Sequence, residues 1–166
     1  MTIVTPTSAL RPYYLDASIL VKLVADEPES TAVRTYVFSS DRSWRICTSF
    51  CFIEAFGALK LKNKRKKLSD NGYVAGCRKL LRLAREEKIK IVEVAISSDS
   101  TFAEGERLVS AYAIDFLDAF QLVSVKTSWP QLATPSQPIL VTADGDLAKA
   151  AEREGIGYWL CRSASS

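Results

Sequence analysis

Histidine is absent from the 166-residue sequence, and this absence excludes a large set of enzyme mechanisms. Ser-His-Asp and Cys-His arrangements both need an imidazole, as does every nuclease that uses histidine as its acid and base. A glycine-rich phosphate loop is also absent, so no nucleotide cofactor is indicated. Any chemistry must therefore come from carboxylates, hydroxyls, lysines or a bound metal.

Cysteine is scarce, with four residues in the chain. Cys47 and Cys51 have no second pair of ligands, and no histidine is present to complete a set, so the spacing does not favour structural zinc. We expect Cys47, Cys51, Cys77 and Cys161 to be buried free thiols in a reducing compartment.

Long apolar runs are missing as well. Residues 1–12 lack the basic start and apolar stretch of a signal peptide, and no run reaches membrane-spanning length. We therefore expect a cytoplasmic protein. The length and a hydrophobic content of 48% suit one domain over residues 1–166, with a flexible leader at 1–12 and a flexible tail at 163–166.

Positive charge is concentrated in one segment. The formal net charge is +3, yet residues 60–90 hold twelve Lys and Arg residues against three acids, a local net of +9, and the rest of the chain carries −6. Cations suit phosphates and carboxylates suit metals, so this division is compatible with an enzyme that acts on nucleic acid.

Short apolar runs alternate with segments of helical periodicity along the chain. Strands are predicted at 12–16, 45–49, 89–95, 139–142 and 158–161. Helices are predicted at 17–25, 30–38, 50–62, 74–87, 101–113, 116–125 and 147–154. This alternation is typical of an α/β domain with a largely parallel central sheet.

Two aspartates lie at the ends of predicted strands. Asp16 ends the first strand, and Asp144 follows the strand at 139–142 by two residues. In a parallel sheet both lie at the carboxyl edge, where open α/β folds bind ligands. Each is also compatible with a helix N-cap.

Glu54 and Asp118 instead interrupt apolar helical runs, FCFIEAFGAL at 50–59 and FLDAFQLV at 116–123. A buried ionised carboxylate at either position needs a cation, hydrogen-bond donors or a shift to its neutral form. The alternative is that each faces solvent from a helix with one apolar side.

Two further acids, Asp115 and Asp146, lie close in sequence to Asp118 and Asp144. Either could extend the cluster, although we favour a supporting or surface position for both. Several carboxylates without nitrogen ligands suit Mg²⁺ or Mn²⁺, which keeps water ligands for a substrate phosphate to displace. The implied chemistry is phosphodiester hydrolysis by a metal-activated water.

Four segments resemble the acidic motifs of PIN domains, especially VapC-type toxins, and they occur in that family's order over nearly the whole chain. They are YLDASILVKL (14–23) with EPES (27–30), EAFGAL (54–59), LDAFQL (117–122) and VTADGDLA (141–148). The resemblance implies a PIN-like three-layer α/β/α fold and a Mg²⁺- or Mn²⁺-dependent endoribonuclease. It assigns catalysis and metal binding to Asp16, Glu54, Asp118 and Asp144.

The resemblance has implications for nearby hydroxyls and for partners. Ser18 and Thr142 stand where the family carries Ser or Thr, and we expect their hydroxyl groups to bond a ligand carboxylate or water. The implied role is the toxin of a toxin–antitoxin pair, with an RNA substrate, an inhibitory antitoxin protein and a homodimeric assembly.

Two features depart from the family pattern. Phe120-Gln121-Leu122 stands where Leu-His-Leu often follows the third acid, and the basic region is longer than in compact members. That region could line an RNA path, but we favour a solvated helix face. The candidates for such a path are Tyr73, Arg78, Arg82 and Arg85.

The sequence leaves four functions open, with the toxin in first place. The second is a stand-alone PIN nuclease in RNA processing, which the absence of a neighbouring antitoxin gene would favour. The third is a catalytically silent PIN module that only binds RNA or protein. The fourth is a phosphatase or small-nucleotide hydrolase with the same metal chemistry.

Overall fold

The computed structural model describes residues 11–39, 44–128 and 137–162. Within these ranges, strands and helices alternate as the sequence predicts. The strands are β1 (Pro12–Leu15), β2 (Trp44–Thr48), β3 (Lys90–Val92), β4 (Ile139–Thr142) and β5 (Gly157–Leu160). The helices are α1 (Ala17–Val24), α2 (Ser30–Phe38), α3 (Ser49–Lys64), α4 (Asp70–Arg85), α5 (Asp99–Ala111), α6 (Phe116–Ser128) and α7 (Gly145–Arg153).

The strands form one parallel sheet in the order β3-β2-β1-β4-β5. The chain builds outward from β1 to β3 on one side, then crosses over to place β4 on the other side of β1. The strand order therefore reverses between β1 and β4. Open α/β folds bind ligands outside the carboxyl ends of the strands at such a switch point.

Alternate residues of each strand enter two separate cores. Tyr13 and Leu15 pack among side chains of α1 to α4 on one face of the sheet. Tyr14 packs among side chains of α5 to α7 on the other face. The sheet is thus the middle of three layers, which confirms the predicted α/β/α class.

The differences between predicted and observed boundaries have local causes. β3 is shorter than predicted because its neighbour β2 ends at Thr48, which is the partner of Val92. α4 begins earlier than predicted because Ser69 caps it, with the Ser69 hydroxyl oxygen accepting a hydrogen bond from the Gly72 N–H at 3.0 Å.

All four cysteines lie within the described residues, and all are free thiols. Cys47, Cys51 and Cys161 are buried as predicted, whereas Cys77 is half-buried. Burial raises the pKa of the Cys47 thiol to about 12. These side chains therefore serve as small apolar groups in the folded protein.

No helix in the described part of the chain is long and apolar enough to cross a membrane. Pro12 begins β1, but the rest of the predicted flexible leader, apart from Arg11, and the predicted tail at 163–166 lie outside the described residues. Their flexibility stays a prediction.

Candidate metal centre

Asp16 lies where β1 ends and α1 begins. Its Oδ1 accepts a hydrogen bond from the Ala17 N–H at 2.7 Å, and its Oδ2 accepts from the hydroxyls of Ser18 at 2.6 Å and Thr142 at 2.9 Å. Burial raises the pKa of the Asp16 carboxyl, while these hydrogen bonds lower it. The residue caps α1, as the sequence allowed, and the two hydroxyls hold its carboxylate in addition.

The same two hydroxyls tie the β1 end to the β4 end. The Ser18 hydroxyl oxygen accepts from the Ala143 N–H at 3.1 Å, and the Thr142 hydroxyl oxygen accepts from the Asp144 N–H at 2.9 Å. Each hydroxyl therefore donates to Asp16 and accepts from the loop after β4. The predicted role of Ser18 and Thr142 as partners of an acidic side chain is confirmed.

Asp144 caps α7. Its Oδ1 accepts hydrogen bonds from the N–H groups of Asp146 at 2.7 Å and Leu147 at 3.0 Å. Its Oδ2 has no hydrogen-bond partner among the described residues, and the side chain is exposed. Capping therefore occupies one carboxylate oxygen and leaves the other open to solvent.

Asp118 lies in the first turn of α6 and is half-buried. Its pKa is raised to about 7, first by burial and then by the negative charges of four other acids. Those acids are Asp115, Asp16, Asp144 and Glu54. The other three predicted site residues therefore all lie within electrostatic range of Asp118, although the four come from separate parts of the chain.

Glu54 is exposed, and the sequence left open whether it is buried or faces solvent. It lies on the exposed side of α3, next to Ile53, whose side chain is 69% exposed. The alternative of a solvent-facing acid on a helix with one apolar side is the correct one here. Partial desolvation still raises the pKa of its carboxyl group, and the charges of Asp16 and Asp115 raise it further.

Asp115 and Asp146 take different roles. The Asp115 Oδ1 accepts a hydrogen bond from the Asp118 N–H at 3.0 Å, and its charge is the strongest acidic influence on Asp118. Asp146 instead pairs with Lys149 at 2.8 Å on the surface. Asp115 is thus a fifth member of the cluster, and the sequence signal for it was its position three residues before Asp118.

No Lys or Arg in the described ranges forms an ion pair with any of the five acids. Among those residues, no three potential ligand side chains already stand close enough to hold a metal. The donor set, made only of carboxylate oxygens, nevertheless fits Mg²⁺, which is commonly held by one or two carboxylates with water completing its shell. The candidate ligands are Asp16, Glu54, Asp118 and Asp144, with Asp115 beside them.

The two departures from the PIN pattern lie in α6, shortly after Asp118, and in the basic segment. Phe120 and Gln121 are buried in the fold. In the basic segment, α4 packs through Gly76, where an added Cβ would lie 3.9 Å from Val24. Val24 is the last residue of α1, whereas Asp16 precedes the first. The middle of α4 therefore lies at the far end of α1 from the acids.

Comparison with known proteins shows the fold. No protein-family model matches the chain, and no curated protein matches it. Among solved structures, PAE2754 from Pyrobaculum aerophilum is 20% identical, with a TM-score of 0.56 over 84% of both chains. VapC20 of Mycobacterium tuberculosis, described as a Sarcin-Ricin loop cleaving toxin, is 17% identical, with a TM-score of 0.55 over 83% of this chain and 94% of its own.

The fold is PIN-like and resembles that of VapC20. The predicted fold is therefore confirmed independently of the sequence motifs. At these identities the likeness establishes the architecture, and the assignment of function has to rest on the acids themselves.

Proposed function

We propose that this protein is a Mg²⁺-dependent endoribonuclease of the VapC type. The observation that carries the proposal is the cluster of five acids at the switch point between β1 and β4. Burial and the charges of the other four acids raise the pKa of Asp118, and burial and the charges of Asp16 and Asp115 raise the pKa of Glu54. None of the five acids has a Lys or Arg partner among the described residues. Helix capping accounts for Asp16, Asp144 and Asp115, whereas the carboxylates of Glu54 and Asp118 have no hydrogen bond or ion pair among the described residues.

An unneutralised acid cluster repels a phosphodiester and attracts a divalent cation. When bound, Mg²⁺ supplies the positive charge that lets a phosphate approach, and it lowers the pKa of a water that can attack the phosphorus. Mn²⁺ has the same oxygen preference. RNA hydrolysis is the reaction class that these properties and the PIN-like fold both support.

Within this proposal the acids have distinct tasks. Asp16 is the fixed member, because both of its oxygens already accept hydrogen bonds. Asp144 offers its open Oδ2, and Glu54 reaches the cluster from the exposed side of α3. Asp118, the most strongly repelled acid, is the one that gains most from a nearby cation.

The toxin role implies a second copy of the chain and an antitoxin as protein partners, and it places the activity in the cytoplasm. Exposed apolar side chains near the acids support protein contacts. Ile53 and Leu117, each directly before one of the acids, are 69% and 42% exposed. Phe102 and Phe116 stack at 5.6 Å while both remain exposed. Clustered apolar surface of this kind is typical of interfaces.

The test is cleavage of tRNA, rRNA and mRNA transcripts with Mg²⁺ or Mn²⁺, beside a mononucleotide assay. We expect Asp16→Asn and Asp118→Asn each to lower the cleavage rate at least about 100-fold, because each removes a charge that attracts the metal. Asp146→Asn is the matched control, since this nearby acid is already paired with Lys149. Its activity should equal that of the wild type.

Equal cleavage by the wild type and both cluster variants would refute the proposal. Turnover of mononucleotides without cleavage of RNA would instead favour the small-nucleotide hydrolase. A co-encoded small protein that suppresses the cleavage would support the toxin role, whereas cleavage without such a neighbour would favour the stand-alone nuclease.

A further inference from the structure

The outer side of α4 carries a row of arginines. The helix turns Gly76 and Leu80 into the core, and Arg78, Arg82 and Arg85 are exposed. Positions separated by four and three residues lie on one side of a helix, so the three guanidinium groups form a continuous stripe. We call this stripe the α4 arginine face.

None of the three arginines has a hydrogen bond or an ion pair with another described residue. Other arginines do form ion pairs, as Arg34 does with Asp26 at 2.9 Å and Arg107 does with Glu104 at 2.8 Å. Glu86, the acid that follows Arg85 in the chain, forms an ion pair with Lys88 at 3.0 Å. The α4 arginine face is therefore left with a positive charge that the described part of the fold does not neutralise.

The α4 arginine face borders a shallow concave surface of about 330 Å³. Its lining consists of Arg78, Leu81, Arg82, Arg85 and Glu86. Leu81 is 42% exposed and gives this surface an apolar component. Guanidinium groups bind phosphate oxygens through paired N–H donors, so repeated arginines beside an open groove match the phosphates of a nucleic-acid strand.

The α4 arginine face lies apart from the acid cluster. The middle of α4 contacts the last residue of α1, and Asp16 stands before the first, so about 12 Å of helix separates them. A substrate of one or two nucleotides at the acids does not extend far beyond them. A longer strand can contact both regions.

We propose that the α4 arginine face binds the phosphate backbone of single-stranded RNA outside the cleavage site. This inference rests on the proposed ribonuclease function and specifies how that function selects long substrates over short ones. Contacts made only to phosphates carry no sequence preference, so the face adds affinity and leaves the choice of cleavage position to the acid cluster.

The test compares Arg78→Gln/Arg82→Gln/Arg85→Gln with a control of equal charge change, Arg11→Gln/Arg153→Gln/Arg162→Gln. All six side chains are exposed in the structure. A third variant with lysine at 78, 82 and 85 keeps the charge. The probes are a single-stranded RNA of about 30 nucleotides, which offers many phosphates for the arginines to contact, and one of about four nucleotides. Binding is measured in EDTA across a salt series, and cleavage is measured with Mg²⁺.

We expect the α4 glutamine variant to bind the long RNA at least about tenfold more weakly near 0.1 M salt. Its plot of log affinity against log salt should be less steep by about 2, because each lost phosphate contact to a single strand removes about 0.7. The control and the lysine variant should keep the wild-type slope. All variants should cleave the short RNA at the wild-type rate.

An unchanged slope in the α4 glutamine variant would overturn the inference while cleavage by the wild type still supported the ribonuclease. Equal slope changes in the control variant would overturn it too, by showing a general effect of net charge. If the α4 variant kept its RNA slope but changed its sedimentation, the face would be a protein contact. Absence of RNA cleavage by the wild type would instead contradict the proposed function itself.

Discussion

The protein contains two acid-rich regions with opposite electrostatics. At the far end of α7, Glu154 lies 2.7 Å from Arg107 and 2.9 Å from Lys126, and Glu104 bonds the same two cations. Hydrogen bonds from Arg107 and Lys126 lower the pKa of Glu104 to about 2. For Glu154, burial acts in the other direction, but its hydrogen bonds outweigh burial and lower the pKa to about 2.

At the near end of α7, the acids of the cluster have no such partners within residues 11–39, 44–128 and 137–162. The pKa of Asp118 is raised to about 7 by burial and by neighbouring acids. The same helix, α6, carries Asp118 in its first turn and Lys126 in its last. Its dipole favours an ionised acid at the first turn, so the repulsion outweighs this stabilisation. The comparison distinguishes an ion network, in which each acid has cationic partners, from an acid cluster that has none among the described residues and that we propose as a metal site.

Breaking the paired region should have the largest effect on stability. Glu154→Gln removes the charge that holds α5, α6 and α7 together, and it leaves Arg107 and Lys126 without one of their acids. We expect the free energy of unfolding at pH 7 to fall by about 3 kcal/mol, because the Glu154 side chain is largely buried. Urea unfolding measures this loss.

Glu152→Gln is the control, since Glu152 is exposed and has no ion pair among the described residues. It should change stability little. A lowered pKa means that the Glu154 contribution is present above the usual value of 4.5 and is lost as pH falls toward 2. If the difference in free energy of unfolding between Glu154→Gln and the wild type grew as the pH fell, the stabilising role of ionised Glu154 would be contradicted.

Neutralising an acid of the unpaired cluster should change the free energy of unfolding less than Glu154→Gln does, and should raise it. Because the pKa of Asp118 is raised, its contribution to stability is fully present below the usual aspartate pKa of 3.8. That contribution is lost as the pH rises through about 7. Without metal, Asp118→Asn should therefore raise the free energy of unfolding at pH 8 by about 1 kcal/mol, a gain limited by solvent screening. The gain should disappear near pH 4.

Urea unfolding in EDTA at the two pH values tests this expectation. Asp146→Asn should show no gain at either pH, because Asp146 already pairs with Lys149. A loss of stability in Asp118→Asn at pH 8 would mean that Asp118 supports the fold, and the contrast between the two regions would fail.

The sequence predicted the fold well because the signals for it are local. Apolar alternation located the strands, and helical periodicity located the helices. β3 was predicted too long because strand length also depends on the partner, and β2 ends at Thr48 to begin α3. The position of α4 was beyond sequence reasoning as well, since it depends on the contact of Gly76 with Leu59 and Val24.

The candidate site was predictable in part. Motif order and strand ends indicated Asp16 and Asp144, and the structure brings both to the switch point with Glu54 and Asp118. The sequence left the exposure of Glu54 undecided, because apolar residues surround it, and Ile53 beside it is also exposed in the structure. The sequence underestimated the electrostatic effect of Asp115 on Asp118. The Asp115 side chain both accepts the Asp118 N–H hydrogen bond and places its charge beside the Asp118 carboxylate.

The central claim is that the acid cluster binds a divalent metal. Its most direct test is a Mn²⁺ titration without RNA, monitored by electron paramagnetic resonance, for the wild type, Asp118→Asn and Asp146→Asn. We predict saturable binding by the wild type and equal binding by Asp146→Asn. Asp118→Asn should bind Mn²⁺ at least about tenfold more weakly, because the substitution removes one of the negative charges that attract the cation. Equal affinity in all three proteins, or no saturable binding by the wild type, would contradict the assignment of the acid cluster as a metal site.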